Sequence, residues 1–282
     1  MFEILQPGAK TMQTKTKAIL TTLLLGAAVP AFADVLISDT FPSNFDNFSE
    51  QNTLSSAGLA WSSADGVGDV SGRINTSGTA NHTNAVFYSG TGSEITKNFT
   101  ETFTATILFQ TGASLTTDIA HASSGFLRST GSAFNTVAGG YACWGEMRND
   151  GAGSYLRMQQ SGGLIDSSST FSLTANNWYA LQTSIELSAD ATASLMSVSV
   201  FDVGADGTGP LGSALASVSA TNVSLPSGGF SGNLWAGFGG GNNTGSNVAA
   251  FDNFSVVAIP EPGTLAMVAI ALSSLLLFRR RS

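Results

Sequence analysis

The sequence predicts an all-β sandwich between residues 34 and 257, and three observations carry the prediction. Apolar and polar residues alternate over strand-length runs, most plainly in Phe99 to Gln110 (FTETFTATILFQ). Clusters of Gly, Asn, Asp and Ser separate such runs, as in Asp206 to Pro210 and Gly239 to Gly245. No amphipathic segment of helical period lies between Asp34 and Val257, and no internal repeat of blade length suggests a propeller.

Taken in order, the chain opens on a block of different character. Lys15 and Lys17 precede an apolar run from Ala18 to Val29, then Pro30 and Ala31-Phe32-Ala33 before Asp34. A basic flank, a short apolar stretch and an A-x-A exit are the parts of a secretory signal, with Ala31 and Ala33 at the cleavage site. Counting from Met12 leaves both lysines close to the start, so Met12 is a second candidate initiator.

The strands follow. In Phe99 to Gln110, Phe99, Phe103, Ala105, Ile107 and Phe109 share one face, and Thr100, Thr102, Thr104 and Thr106 the other. Trp178 to Leu187 places Tyr179, Leu181, Ile185 and Leu187 together, and Leu195 to Val203 does so for Met196, Val198 and Val200. Leu234 to Phe238 and Phe251 to Val257 end the series.

After Ile259 comes Pro260-Glu261-Pro262-Gly263, an uncharged stretch from Thr264 to Phe278, and Arg279-Arg280-Arg281. Residues 264–278 would cover about 22 Å as a helix, a marginal span for a hydrocarbon core of about 30 Å. The arginines would stay on the cytoplasmic side and everything before Pro260 would face outward. The predicted organisation is a signal peptide over 1–33, a β-sandwich over 34–257, and a tail over 258–282 with a transmembrane helix at 264–278.

The tail resembles the PEP-CTERM sorting signal: Pro260, Glu261 and Pro262, a hydrophobic helix, then Arg279, Arg280 and Arg281 at the extreme C-terminus. The resemblance implies recognition by an exosortase-type processing enzyme and removal of the tail near Pro260-Glu261-Pro262. It further implies export through the inner membrane, transient insertion there, delivery to the cell surface or extracellular matrix, and association with exopolysaccharide or biofilm. A plain membrane anchor would give the same topology before processing.

The middle resembles, through shorter motifs, the concanavalin A-like and laminin G-like jelly rolls. Asp39-Thr40-Phe41, Asn177-Trp178-Tyr179-Ala180-Leu181 and Phe251-Asp252-Asn253-Phe254-Ser255-Val256 look like their first, middle and last strands. The resemblance implies that the first and last strands pair and that the domain's ends meet.

Composition narrows the partners. The chain has 11 Lys plus Arg against 19 Asp plus Glu and a formal charge of -8, which argues against nucleic acid. With Glu3 and Glu261 outside it, the segment from Asp34 to Ala258 holds 17 acidic residues and five basic ones, about -12. Such a surface favours a neutral glycan or one bridged by a divalent cation. One Cys and two His exclude an intramolecular disulfide and a closed zinc site.

Candidate chemistry is sparse. Glycoside hydrolysis normally takes two carboxyls across the scissile bond, and the jelly-roll glucanases carry E-x-D-x-E on one strand. Here Glu94, Glu101, Glu146 and Glu186 stand apart. Glu101 shares a face with Phe99 and Phe103, a placement that a strand edge explains. His82 and His121 read as solvated loop residues, and Cys143, flanked by aromatics, reads as a buried thiol. No metal ligand set is defined, although Asp65 to Asp69 and Asp202 to Asp206 are acidic turns of a kind that suits calcium. Of the four tryptophans, Trp61, Trp178 and Trp235 read as core, and Trp144, near Arg148, Asn149 and Asp150, as the candidate sugar-stacking residue. The expectation is a non-enzymatic surface or matrix protein with exopolysaccharide as its candidate ligand. A glycan-active enzyme of the same fold and a purely structural matrix module are the alternatives.

Overall fold

The structure, a computed structural model, describes residues 33–43, 47–52, 59–69, 71–76, 84–88, 95, 101–113, 115, 120–127, 142–149, 153–160, 163–187, 193–223, 234–242 and 248–260. The signal segment up to Phe32, the tail from Glu261 with its predicted span at 264–278, and His82, Glu94 and Phe99 lie outside them. Among the described residues, no helix is long and apolar enough to cross a membrane.

These residues form fifteen strands in two antiparallel sheets. The eight-stranded sheet contains β1 (Asp34–Asp39), β3 (Leu59–Asp65), β4 (Ser71–Thr76), β6 (Glu101–Thr111), β11 (Trp178–Leu187), β12 (Ala193–Gly204), β13 (Ala216–Val223) and β15 (Val248–Pro260). The seven-stranded sheet contains β2 (Phe48–Asn52), β5 (Asn84–Tyr88), β7 (Ala120–Leu127), β8 (Ala142–Asn149), β9 (Ser154–Gln160), β10 (Gly163–Ser167) and β14 (Trp235–Asn242). The first runs β13-β12-β11-β6-β15-β4-β3 and the second β10-β9-β8-β7-β14-β5-β2. Along one edge of β15, β4 pairs with Ala250 and Phe251, and β1 with Phe254 to Ala258.

Period-two alternation builds the core. Phe103, Ala105, Ile107 and Phe109 of β6, Tyr179, Leu181 and Ile185 of β11, and Met196, Val198 and Val200 of β12 are buried as the sequence predicts. Facing them are Ala122 and Phe126 of β7, Cys143 and Met147 of β8, Leu156 and Met158 of β9, and Ala236 and Phe238 of β14. In β15 the register shifts between Asp252 and Ser255, and Asn253 has φ 50°. This bulge lets Phe251 and Phe254, three positions apart, both point inward. Phe254 meets Phe48 and Phe238, Phe251 meets Phe238, and Phe41 packs on Phe48 and Phe238, with ring centroids 5.4 to 5.8 Å apart, an aromatic centre drawn from both sheets.

A polar network crosses this interior. Thr183 Oγ1, fully buried on β11, donates to Ser124 O on β7 at 2.9 Å and accepts from Gly145 N on β8 at 3.1 Å. Ser124 Oγ lies 3.0 Å away. Three strands from both sheets thus share a hydroxyl that would be costly to bury unpaired.

A second, smaller cluster covers the opposite side of the eight-stranded sheet. Trp178, Ala180, Val203 and Ala250 are buried there, with Val67, Leu108 and Phe201 packed against them. The roof is the turn around Gly207, whose φ is 74° and where a Cβ would fall 2.9 Å from Val67 Cγ2 and 3.1 Å from Trp178 Cγ.

Two boundaries differ from the sequence reading. Gly239 to Asn242 are strand rather than turn, because their backbone pairs with β7 and, at Gly239 and Gly240, with β5. A Cβ at Gly240 would stand 2.3 Å from the Phe251 ring, so a bare backbone is what fits. Strand β15 continues past Val257 to Pro260, which pairs with Glu101. The first and last strands do pair, with Asp34 opposite Ala258.

Candidate functional site

The alternation that sends Ala122, Cys143, Met147, Leu156 and Met158 inward turns their neighbours to the other face of the seven-stranded sheet. Across β7, β8 and β9 these neighbours stand in register. His121 is opposite Arg148 and Arg148 opposite Tyr155; Ser123, Glu146 and Arg157 form the next row; Gly125, Trp144 and Gln159 the third. Trp235 of β14, opposite Leu127, extends the same face. Adjacent strands lie about 4.8 Å apart and each row about 6.6 Å from the next, so the patch measures roughly 10 by 13 Å. That is far below the roughly 800 Å² per partner of a stable protein interface and is the scale of a small-ligand contact.

The groups are held from below and from the sides. Glu146, 6% exposed, accepts a hydrogen bond from Gln159 Nε2 and lies 3.6 Å from Arg157 Nη1. Burial lowers the pKa of His121; Glu146 opposes that shift while Arg148 and Arg157 add to it, so the imidazole is neutral near pH 7. Three atoms of this patch, His121 Nε2, Ser123 Oγ and Arg148 Nε, are enclosed and have no hydrogen-bond partner. Arg73 Nε and Asn75 Oδ1, both on β4, complete that set among the described residues. Enclosed polar atoms are normally paired, so three unpaired ones on one face set this patch apart.

Several expectations are revised by this geometry. His121 is a strand residue with an enclosed ring nitrogen, not a solvated loop histidine; the small residues of AHASSGFL concealed the strand. Trp144 does lie on the patch beside Glu146 and Arg148, but it is 4% exposed and presents no open ring for stacking. Trp235 is half-buried on the patch rather than in the core, and Trp61, on the edge strand β3, is the tryptophan the surface displays at 36% exposure. Its indole N–H donates to Phe41 O at 2.9 Å. Trp178 is buried as expected, and so is Cys143, whose thiol burial pushes up to about 12. Glu146, Tyr155, Arg157 and Gln159 were not legible as a group, although W-x-E-x-R in β8 and Y-x-R-x-Q in β9 put only polar and aromatic residues on one face of each strand.

The two acidic turns come together, for a structural reason. Gly68 N donates to Asp206 O at 2.7 Å. Asp202 Oδ1 accepts from Asn177 Nδ2 and Gly204 N at 2.8 and 2.9 Å, and Asp206 Oδ1 from Thr208 N at 3.1 Å. Those Thr208 bonds hold Asp206 below the usual carboxylate range. Asp39 and Asp252 interact electrostatically. Asp39 accepts from Phe41 N and Asn47 Nδ2, and Asp252 from Val67 N and Asn253 N, so both fasten loops. Burial, reinforced by Asp39, raises Asp252 to about 6. Among the described residues no group of three or more His, Cys, Asp or Glu is placed to hold a metal ion. Glu101 is half-buried at the first position of β6, an interior strand, so the strand's end and not a sheet edge gives its carboxylate room.

No family model matches the chain, and no curated protein matches it. Solved structures do. The chain is similar to a protein of unknown function from Shewanella oneidensis MR-1 (TM-score 0.50, 14% identity, covering 92% of this chain and 98% of that one). It is also similar to lectin II from Ulex europaeus (0.50, 13%, 81% and 100%). A third is the winged bean acidic lectin, solved with methyl-α-D-galactose (0.51, 10%, 81% and 99%). At these identities the likeness is one of fold, and it defines the class: a concanavalin A-like, lectin-type jelly roll.

Proposed function

We propose that the domain is a non-enzymatic saccharide-binding module whose site is the outward face of β7, β8 and β9. The observation that carries this reading is the set of polar side chains that Arg148, Tyr155 and Arg157, each half-buried, present in register on one small patch. Hydroxyls of a sugar are donors and acceptors at once and suit such a set. The lectin-type fold supports the same class of ligand. Glu146 is the only carboxylate that the described residues of β7 to β9 bring to the patch, and it is already engaged by Gln159 and Arg157, whereas hydrolysis normally takes a pair. The test is binding of the full-length protein to a polysaccharide panel. Binding that Arg148→Ala weakens, with no release of reducing ends, supports the proposal; sugar release would favour the glycan-active alternative, and no binding would leave the structural matrix module.

On sequence grounds the module reaches the cell surface or matrix through its signal segment and its PEP-CTERM-like tail, processed by an exosortase-type enzyme. Replacing Pro260-Glu261-Pro262 with alanines should leave the tail attached, a difference that intact mass reads directly. Unchanged processing and delivery in that variant would sink the sorting proposal.

A further inference from the structure

We propose that the free edge of β13 pairs with the same edge of a second copy of this chain, joining two eight-stranded sheets into one. A strand at a sheet edge carries a row of unpaired N–H and C=O groups, and proteins that stay apart blunt such edges with charges, bulges or short strands. The other edges among the described residues carry those devices. The register of β10 shifts between Leu164 and Asp166, that of β3 between Ser62 and Asp65, and that of β1 between Val35 and Ile37. Asp166, Asp65, Asp34 and Asp39 add charge to these same strands. The edge strand β2 is five residues long and includes Glu50.

Strand β13 has none of them. Its pairing with β12 runs without a shift from Ala216 opposite Val200 to Val223 opposite Ala193. Leu215 N, which donates to Val200 O at 2.8 Å, lengthens it. Asn222, at φ 54°, stands next to its last residue. No charged residue and no His occurs from Gly207 to Phe251, so in a domain of about -12 two copies can meet along this strand with no like charges opposed on it. Among the described residues β12 is the only strand paired with β13, and Ser217, Ser219 and Thr221 are exposed.

Symmetry selects the occupant. On β13 the buried Val218 and half-buried Ala216 and Ala220 face inward, whereas Ser217, Ser219 and Thr221 face out. A two-fold axis perpendicular to the sheet runs the strand antiparallel to its copy and leaves each face on its own side. Small apolar residues then stand opposite small apolar residues, and hydroxyls opposite hydroxyls. The outward rows already cross the sheet: Thr104, Ser184, Ser197 and Ser219 are in register on β6, β11, β12 and β13, and Ser199 hydrogen-bonds to Ser217. A second copy prolongs these rows and covers Leu215, 42% exposed at the start of the strand. Eight residues make an edge about 27 Å long, and a sandwich edge is about 10 Å deep. That is well below the roughly 800 Å² per partner of a permanent complex, so the dimer should come apart on dilution.

The experiment is sedimentation equilibrium of the full-length protein in detergent over a wide concentration range. A monomer–dimer equilibrium is expected. Ser219→Lys should raise its dissociation constant about fivefold or more, because both copies carry the charge and like charges opposed across strands repel. Ser63→Lys, the same change at an exposed position of β3, should leave it unaltered. Contact is read directly by Ser217→Cys, Ser219→Cys and Thr221→Cys with a short bismaleimide, since the native Cys143 is buried. At least one of the three should give a covalent dimer, and Ser63→Cys should not. If Ser219→Lys does not fold, the crosslinks decide alone. A monomer at every concentration, association that Ser219→Lys leaves unchanged, or crosslinks no better from β13 than from Ser63→Cys would overturn the proposal.

Discussion

Thr183 shows how much one hydroxyl can organise. Its partners are Ser124 and Gly145, on two strands of the opposite sheet. Thr183→Val keeps the shape but strands those partners, so it should cost about 1–3 kcal/mol, read as a lower urea midpoint, while Thr183→Ser recovers most of it. Asp252 responds to pH. Its folded pKa, about 6, lies above the ordinary 3.8, so between those values the folded state binds the proton more tightly than the unfolded chain. Its contribution to stability therefore grows as pH falls from 6 towards 4 and is least above 6. Asp252→Asn should flatten that slope in denaturation curves taken across the interval. Cys143, buried with its thiol raised to about 12, should react with a disulfide reagent only as fast as the protein opens. At this scale the sequence was read correctly where alternation is strong, as at Phe103 or Val198, and at Cys143, between two aromatics. It misled at Trp61, Trp144 and Trp235, because a tryptophan's exposure depends on which side of which sheet its strand meets, and no local pattern records that.

Strands and turns tell the same story one level up. The runs at β6, β11 and β12 were visible because one face is apolar and the other rich in Thr or Ser. The Gly-rich β14 was not, since its glycines are required by the neighbouring Phe251 ring and not by any turn. Nor was β7, whose inward and outward residues are all small or polar until Phe126. The register that sets His121 opposite Arg148 crosses residues 128–141, so spacing could not assemble the patch, although β8 and β9 follow each other closely and their pairing of Arg148 with Tyr155 is local. The Gly207 turn, by contrast, was marked by its own chemistry. Gly207→Ala places a Cβ against Val67 and Trp178 at φ 74°. It should destabilise by about 1–3 kcal/mol and shift tryptophan emission to the red as the turn lifts from Trp178.

For the molecule as a whole, the described fold begins at Ala33 and ends at Pro260, and these limits make a prediction about fragments. A chain of residues 33–260 should unfold in one cooperative step, whereas one that stops before Val248 should remain open to protease, because β15 sits between β6 on one edge and both β4 and β1 on the other. The all-β class and the meeting of the two ends were legible in the sequence; the division into sheets of eight and seven strands was not, since it depends on pairings such as β6 with β15 that span most of the chain. Those pairings also set a clock. Strand β15 is the last described segment to be made, yet it fills an interior place in its sheet, and residue 34 waits for residue 258. Until synthesis reaches β15, the unpaired edge of β6 stays open to whatever strand drifts past, and such distant pairings form slowly. A chaperone that shields β6 would be needed early, and its work would be finished when the last strand arrives.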